Sequence, residues 1–459
     1  MVCISKRRGS ACLSLSVLAG LMGPCGAGSA QAQQVVDAAP APAAADSAPQ
    51  DFALHGQVTV TAQQATGFAS PYTGTNSFLP NQLRETVDAT LYFGVRPWQG
   101  AELWLNPEVD QGFGVSNTLG VAGFVSGEAY KVGKAAPYVR LQRAFLRQTV
   151  QLGGAVQQVD AAANQLRGST TANRLVFTIG KFSLGDVFDT NRYAHDPRAD
   201  FFNWSIIETG SFDYAADAWG YTYAAAGEWY QGAWTLRLGL ANLSTVPNTT
   251  ELETNLSQFQ LLGEVEHRHT IAGHPGALRV TVFRNHGRFA SLAEASAVAE
   301  STGTMPDLAT LRRPANRWGG MLNAEQELTD TLGVFLRAGL TDGRYEAYDF
   351  TDIDRSLSFG LSLKGTHWGR AADTVGLAGV VNGASKARQR FLADGGLGIL
   401  VGDGALAHPG NEWIGEAYYD WQPFSHFNLT ADYQLVVNPG YNRDRGPASV
   451  LGLRAHLAY

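Results

Sequence analysis

"LHGQVTVTAQ" (Leu54–Gln63) decides the fold. Leu54, Gly56, Val58, Val60 and Ala62 alternate with His55, Gln57, Thr59, Thr61 and Gln63. A period of two gives a strand with one apolar and one polar face. The pattern returns at once: Val87, Ala89, Leu91, Phe93 and Val95 alternate with Thr86, Asp88, Thr90, Tyr92 and Arg96. It recurs where Leu357, Phe359, Leu361 and Leu363 face away from Ser356, Ser358, Ser362 and Lys364, and where Phe427, Leu429, Ala431, Tyr433 and Leu435 face away from Asn428, Thr430, Asp432 and Gln434. Sixteen such segments begin near 54, 86, 101, 138, 174, 219, 233, 258, 277, 317, 332, 356, 373, 412, 427 and 448. Two are irregular: 138–150, where Arg140, Arg143 and Arg147 do not keep to one face, and 258–268. In the clean segments no charge occupies the apolar face, as lipid requires, since a charge there costs about 2–4 kcal/mol near the bilayer midplane.

The connections alternate in length. Short ones lie at 97–100, 231–232, 272–276, 329–331, 366–372 and 422–426; long ones lie at about 64–84, 111–137, 183–218, 242–257, 286–316, 341–355, 383–411 and 436–447. The second turn, 153–173, departs from this by being long and polar. The chain closes on "LGLRAHLAY", with Leu451, Leu453, Ala455, Leu457 and Tyr459 on one face and Arg454 and His456 on the other. Together these features predict an all-β fold: a 16-stranded antiparallel transmembrane β-barrel with short periplasmic turns, long external loops and an inward-folded constriction loop. Apolar faces should meet lipid and hydrophilic faces should enclose water. Trp98, Trp219, Tyr230, Trp234, Trp368 and Trp421 sit at strand ends and are expected as interfacial girdles.

The N-terminus fits export. Lys6, Arg7 and Arg8 precede the apolar run Ala11–Gly23, and Ala30-Gln31-Ala32 is a small-x-small cleavage pattern. Residues 1–32 read as a signal peptide, 33–50 as an Ala/Pro-rich linker and 51–459 as the barrel domain. All the cysteines, Cys3, Cys12 and Cys25, precede the cut, so disulfides and thiolate chemistry are excluded from the mature chain. Loss of three cations and no acid moves the formal charge from −7 to −7 − 3 = −10. That balance argues against a nucleic-acid partner. No apolar run is long enough for a spanning helix.

The third external loop contains "GKFSLGDVFDTNRYAHDPRADFFNW" (Gly180–Trp204). Its many charges cannot pack against lipid. Folded inward, they would meet inward wall residues near mid-height, among them Asp88, Asn106, Glu108, Arg237, Arg279, Glu325 and Arg337, and narrow the channel. Interleaved acids, arginines and rings suit a polyhydroxylated solute. A solvated external loop is the alternative.

"FTIGKFSLGDVFDTNRYAHDPRADFFNW" (177–204), "FDYAADAWGYTYAAAGEWYQGAWTLRLGL" (212–240), "DYQLVVNPGYNRDRGP" (432–447) and "ETVDATLYFGVRPWQGAELWLNPEVDQGFG" (85–114) resemble the carbohydrate-selective porins of the OprB type. The resemblance implies a bacterial outer-membrane channel that passes monosaccharides and other small polar solutes by diffusion. It also implies a constriction that includes Asp186, Asp189, Arg192, His195, Asp196 and Arg198, with Glu108 from the wall. A general cation-leaning porin, or a transporter for another small solute, remains an alternative; a secreted β-rich hydrolase or binding module is the reading from another class. Outer-membrane lipid and a homo-oligomeric partner are further expectations.

No catalytic residue, metal or cofactor is expected, and the chain does not read as an enzyme. Ser183, Asp189 and His195 supply triad residue types without a nucleophile elbow. "DFTDIDR" (349–355) lacks calcium-loop spacing and reads as a solvated acidic loop, and "GGLGILVGDG" (395–404) lacks the strand–helix setting of a phosphate loop. "SLAEASAVAES" and "SKARQRFLAD" are candidate short helices in external loops, with plain loop as the alternative.

Overall fold

The structure, a computed structural model, describes residues 48–129 and 132–459; the assigned signal peptide and residues 33–47 of the linker lie outside the described residues. Sixteen strands follow: β1 Phe52–Ala65, β2 Gln82–Val95, β3 Ala101–Gly112, β4 Lys134–Val159, β5 Gly168–Phe182, β6 Thr222–Gln231, β7 Trp234–Asn242, β8 Phe259–Ile271, β9 His274–Phe289, β10 Arg313–Thr329, β11 Leu332–Thr341, β12 Arg355–Lys364, β13 Thr374–Gly383, β14 Glu412–Phe424, β15 Phe427–Val437 and β16 Ala448–Ala458. Every neighbouring pair is antiparallel, and β1 closes on β16 from Gln57 opposite Ala458 to Ala65 opposite Val450. Closure satisfies every ladder: lipid offers no hydrogen-bond partner, so an open edge would strand polar groups at several kcal/mol each.

Two expectations about the early strands are corrected. The arginines of β4 leave one face in sequence but not in space. Asn106 opposes Arg143 and Pro107 opposes Leu141, so Gln142 is one extra residue in β4, a bulge. The bulge resets the alternation, and Arg140, Arg143 and Arg147 all fall on the inward side, opposite Glu108, Asn106 and Glu102. The long second turn is mostly paired strand. β4 and β5 continue to Val159 and from Gly168, and only 160–167 are turn. Register shifts flank Gly153, where Gly153 and Gly154 take φ of 93° and 91°. The hairpin tip is tied to the rim: Gln50 N–H donates to the Arg167 carbonyl at 3.0 Å, and Arg147 donates to the Asn164 carbonyl at 2.8 Å.

Leu54, Val58 and Val60 are exposed on the outer face while Thr59, Thr61 and Gln63 are buried inside. Trp98, Trp234, Trp368 and Trp421 are exposed near the short-turn end, as girdle residues should be. Trp219 and Tyr230 are not girdle residues. Tyr230 shares the inner parity of Glu228 and donates to its carboxylate at 2.7 Å; Trp219 lies in the third long loop with its ring under the Arg140 guanidinium, 3.2 Å from centroid to carbon. The uncharged outer face also needs correction: the outer row of β9 continues past Leu278, Val280 and Val282 to Arg284, His286 and Arg288 at its long-loop end. There the bilayer meets water and the penalty for charge falls to about 0–1 kcal/mol.

The interior is not simply a polar wall around water. Trp104, Phe145, Phe283, Phe335 and Tyr418 point inward and are buried, the last three against a loop that folds in from the long-loop side. Residues 183–221, loop 3, bring Phe201 to 5.8 Å from Phe335 and 4.9 Å from Tyr418, and Phe212 to 5.3 Å from Phe283. Each such buried ring stabilises the fold by about 1.5–3 kcal/mol. The two candidate segments in the external loops are helices rather than plain loop, α2 Leu292–Thr302 and α3 Lys386–Ala393, after a single turn α1 at Trp204–Ile207 inside loop 3. "DFTDIDR" is not solvated. Asp349, Asp352 and Asp354 are buried; Asp352 and Asp354 hold Arg388 of α3 at 2.7 and 2.9 Å, and Asp349 accepts from Ser244 at 2.7 Å.

Trp104 requires a glycine opposite. A Cβ on Gly94 would lie 2.4 Å from the Trp104 ring. Gly94→Ala is expected to destabilise the barrel by about 1–3 kcal/mol through overpacking. A lower temperature for the loss of the compact form on unboiled gels checks this, and an unchanged transition refutes it.

Candidate functional site

Loop 3 crosses the lumen and is held by the wall on nearly every side. Its first turn is a capping box at Ser183–Asp186. Asp186 then meets Arg143 of β4 in a two-pronged pair, 2.7 and 2.8 Å. Burial pushes the Asp186 carboxyl up, but the Arg143 charge outweighs it and holds the group below its ordinary value.

Asp189 is 2% exposed and takes a left-handed φ of 56°. Its carboxylate accepts from the Thr209 amide at 2.6 Å, the Thr209 hydroxyl at 3.0 Å and the Asn323 amide at 2.7 Å. Arg337 of β11, equally buried, donates to the carbonyls of Ala194 (2.7 Å), Ile206 (2.9 Å) and Asp189 (3.2 Å). These two side chains lock loop 3 to β10 and β11. Arg192 is more open: its backbone donates to Glu325 at 2.7 Å and its guanidinium pairs with Glu327 at 3.1 Å.

Arg198 lies among three carboxylates, Glu108 at 3.2 Å, Asp88 at 3.3 Å and Glu128 of the second long loop at 3.3 Å. Asp196, beside it, lies below its usual range because Arg198 outweighs burial. Asp200 accepts from the amides of His195 (2.9 Å) and Asp196 (3.0 Å), yet burial and the Asp196 charge push it up to about 6. Burial and the nearby Arg337 charge lower His195. Arg454 of β16 donates to the Pro197 carbonyl at 2.6 Å, and Glu416 of β14 accepts from the Asn203 amide at 3.0 Å.

The geometry thus sorts the sequence candidates. Asp186 and Arg192, with partly exposed side chains, border open space together with His195 and Asp196. Arg198, Asp88 and Glu108 form one cluster; Asp189 and Arg337 form the buried anchor. Arg140, Arg143 and Glu128 were absent from the sequence candidates, as were Tyr221, whose hydroxyl lies 3.5 Å from Arg143, and Trp219. The three-and-four spacing of arginines in β4 marks an irregular strand, and only the pairing shows that the irregularity is a bulge.

Toward the short turns, loop 3 roofs a cavity of about 1710 Å³ bordered by Asp186, Arg192, Tyr193 and His195. Its far wall carries alternating charge. Arg237 reaches Glu264 (2.7 Å), Glu228 (2.9 Å) and Glu266 (3.0 Å), and Arg279 joins Glu266 (2.8 Å) to Glu325 (3.2 Å). At the rim, His274 Nδ1 lies 3.2 Å from Glu327 and 3.8 Å from Asp330, a set with the donor chemistry for a divalent cation.

Glu208 gives loop 3 a pH dependence. Burial and the Asp189 charge push it up to about 8. A carboxyl raised in the folded state contributes stability at low pH that drains away as pH rises from the unfolded value to the folded one, at about 1.4 kcal/mol per unit. Between pH 7 and 8, loop 3 should therefore loosen by roughly that amount. Faster amide exchange in 183–210 at pH 8.5 than at pH 6.5, after correction for intrinsic rate, checks this; Glu208→Gln should remove the difference.

A family model described as "Carbohydrate-selective porin, OprB family" matches residues 76–459. Among solved structures, the high-pH structure of Pseudomonas putida OprB superposes with a TM-score of 0.66 at 15% identity, covering 89% of this chain and 94% of that one. The outer membrane channel DcaP of Acinetobacter baumannii superposes at 0.51 with 12% identity, covering 89% and 97%. No curated protein sequence matches the chain.

Proposed function

We infer the route of solute passage from one premise: the chain belongs to the carbohydrate-selective porins of the OprB family. It is a passive outer-membrane channel for sugars, and family and fold are those of porins rather than enzymes. On our reading, the solute leaves the external side between loop 3 and β4, past Arg140, Arg143, Asp186, Tyr221 and Trp219, and enters the wide chamber under loop 3. The observation that carries this is the paired lining. Arg143 and Asp186 sit face to face, Arg140 and Asp217 lie 3.1 Å apart, and the rings of Trp219 and Tyr221 lie against the two arginines.

Three cations, Arg140, Arg143 and Lys181, set against the carboxylates of Asp186 and Asp217 offer donors and acceptors side by side with a small net charge. A sugar hydroxyl, both donor and acceptor, can exchange water for such a pair, while a bare ion meets its like charge as closely as its opposite. The flanking rings cover apolar sugar faces. We place Arg192, His195 and Asp196 on the chamber side of the same path.

Proteoliposomes should swell in isotonic arabinose or glucose, and absence of swelling with any small sugar overturns the reading. Arg143→Ala should speed the entry of larger sugars by opening the gap and leaving Asp186 unpaired. Equal swelling rates for a graded sugar series would remove β4 from the path. The excess of acids on the chamber wall favours the second reading, a cation-leaning pore, which a reversal potential under a salt gradient tests directly.

A further inference from the structure

We propose that the long-loop ends of β9 and β10 form an outward-facing site for the phosphate of a lipid in the outer leaflet. The outer row of β9 runs Leu278, Val280, Val282 through the lipid belt and then changes to Arg284, His286 and Arg288. The change is abrupt and one-signed. Trp318, exposed on β10, is the cross-strand neighbour of Arg284, with its ring 5.4 Å from the guanidinium, so the row sits at an interfacial aromatic. Arg355 of β12 is also on the outer face, but its side chain lies over Gly383 of β13, away from this row, and it takes no part in the site.

The charge is uncompensated. Neighbouring arginines have acids: Arg312 holds Glu346 at 2.9 Å, Arg313 holds Glu294 at 2.5 Å, and Arg317 holds Asp213. Among the described residues, Arg284 and Arg288 form no ion pair. Arg284 and His286 are nonetheless held in place. Arg284 donates to the Asn316 side-chain oxygen at 2.8 and 3.0 Å, and His286 Nδ1 lies 2.9 Å from the same atom. One amide oxygen orients the guanidinium and the imidazole, and among the described residues the remaining Arg284 nitrogen has no hydrogen-bond partner. In a chain of formal charge −7, an outer row that carries two arginines and a histidine without an acid is a local inversion.

Arginine is the side chain suited to phosphate, with planar paired donors and weak hydration. A lipid phosphate lies at the depth where an apolar outer face gives way to charge. Its acyl chains then run down over Leu278, Val280 and Val282. The site asks for a phosphorylated lipid and takes no neutral one.

The test is native mass spectrometry of the purified channel in micelles doped with diphosphoryl lipid A, beside the same lipid with its phosphates removed. The wild-type channel should retain the phosphorylated lipid and not the other. Each arginine lost should cut retention about fivefold, so Arg284→Gln with Arg288→Gln should lose about 25-fold. Arg313→Gln, a nearby arginine already paired with Glu294, should change nothing. If the double variant does not fold, Arg288→Gln alone, exposed at the strand end, carries the test with its fivefold loss. Equal retention by the variant that folds, or equal retention of the dephosphorylated lipid, overturns the proposal.

Discussion

With Arg337 replaced by methionine, the channel should carry more current per opening and admit larger solutes while its barrel remains intact. Arg337 is a fully buried cation whose donors go to three loop 3 carbonyls, with Asp189 alongside at 3.4 Å. Removing it strands those carbonyls and leaves the Asp189 carboxylate, still held by Thr209 and Asn323, without its countercharge in a dry setting. Loss of one partner from a buried charged network costs about 3–5 kcal/mol. The barrel ladder shares none of those bonds, so the cost falls on the docking of loop 3, and the segment near Asp189–Ile207 should detach from β11. Single-channel conductance and the size limit for sugar entry should rise together. Unchanged conductance would mean that the aromatic contacts of Phe201 and Phe212 hold the loop without the anchor.

Arg198→Ala should change selectivity more than size. Arg198 is the cation shared by Asp88, Glu108 and Glu128. Its removal leaves three acids from β2, β3 and the second long loop facing one another. Breaking a buried pair this way costs about 3–5 kcal/mol, part of it regained as water and cations enter. The reversal potential should move toward cation preference. Arg198→Lys should restore the charge but not the planar reach to three carboxylates, and so rescue in part. A reversal potential that stays at its original value in Arg198→Ala would show that this cluster lies off the conducting path.

Several features of the interior are legible in the sequence because they rest on local alternation. Asp88, Glu108 and Arg337 are on the inner parity of strands whose outer parity is plainly apolar, so their inward direction was legible. Arg143 was not. One extra residue, Gln142, inverts the count, and nothing in the types of residues 138–150 distinguishes a bulged strand from a broken one. Tyr230 failed as a girdle residue for a related reason: its place at a strand end is visible, but its parity follows Glu228. Asp349, Asp352 and Asp354 looked solvated because their partners, Ser244 and Arg388, come from other loops.

Alone, the order of residues determined that this chain closes into sixteen strands, which end carries the long loops and which faces meet lipid. Those features follow from a two-residue period and from the intolerance of hydrocarbon for unpaired polar groups, and both act over a few neighbours. Only the tertiary structure decided where loop 3 goes and which charge meets which. Arg198 and Glu108 stand 90 positions apart, and Arg337 and Ala194 stand 143 apart. No local period relates such residues; they become partners because a closed wall brings strands from distant parts of the chain around one loop.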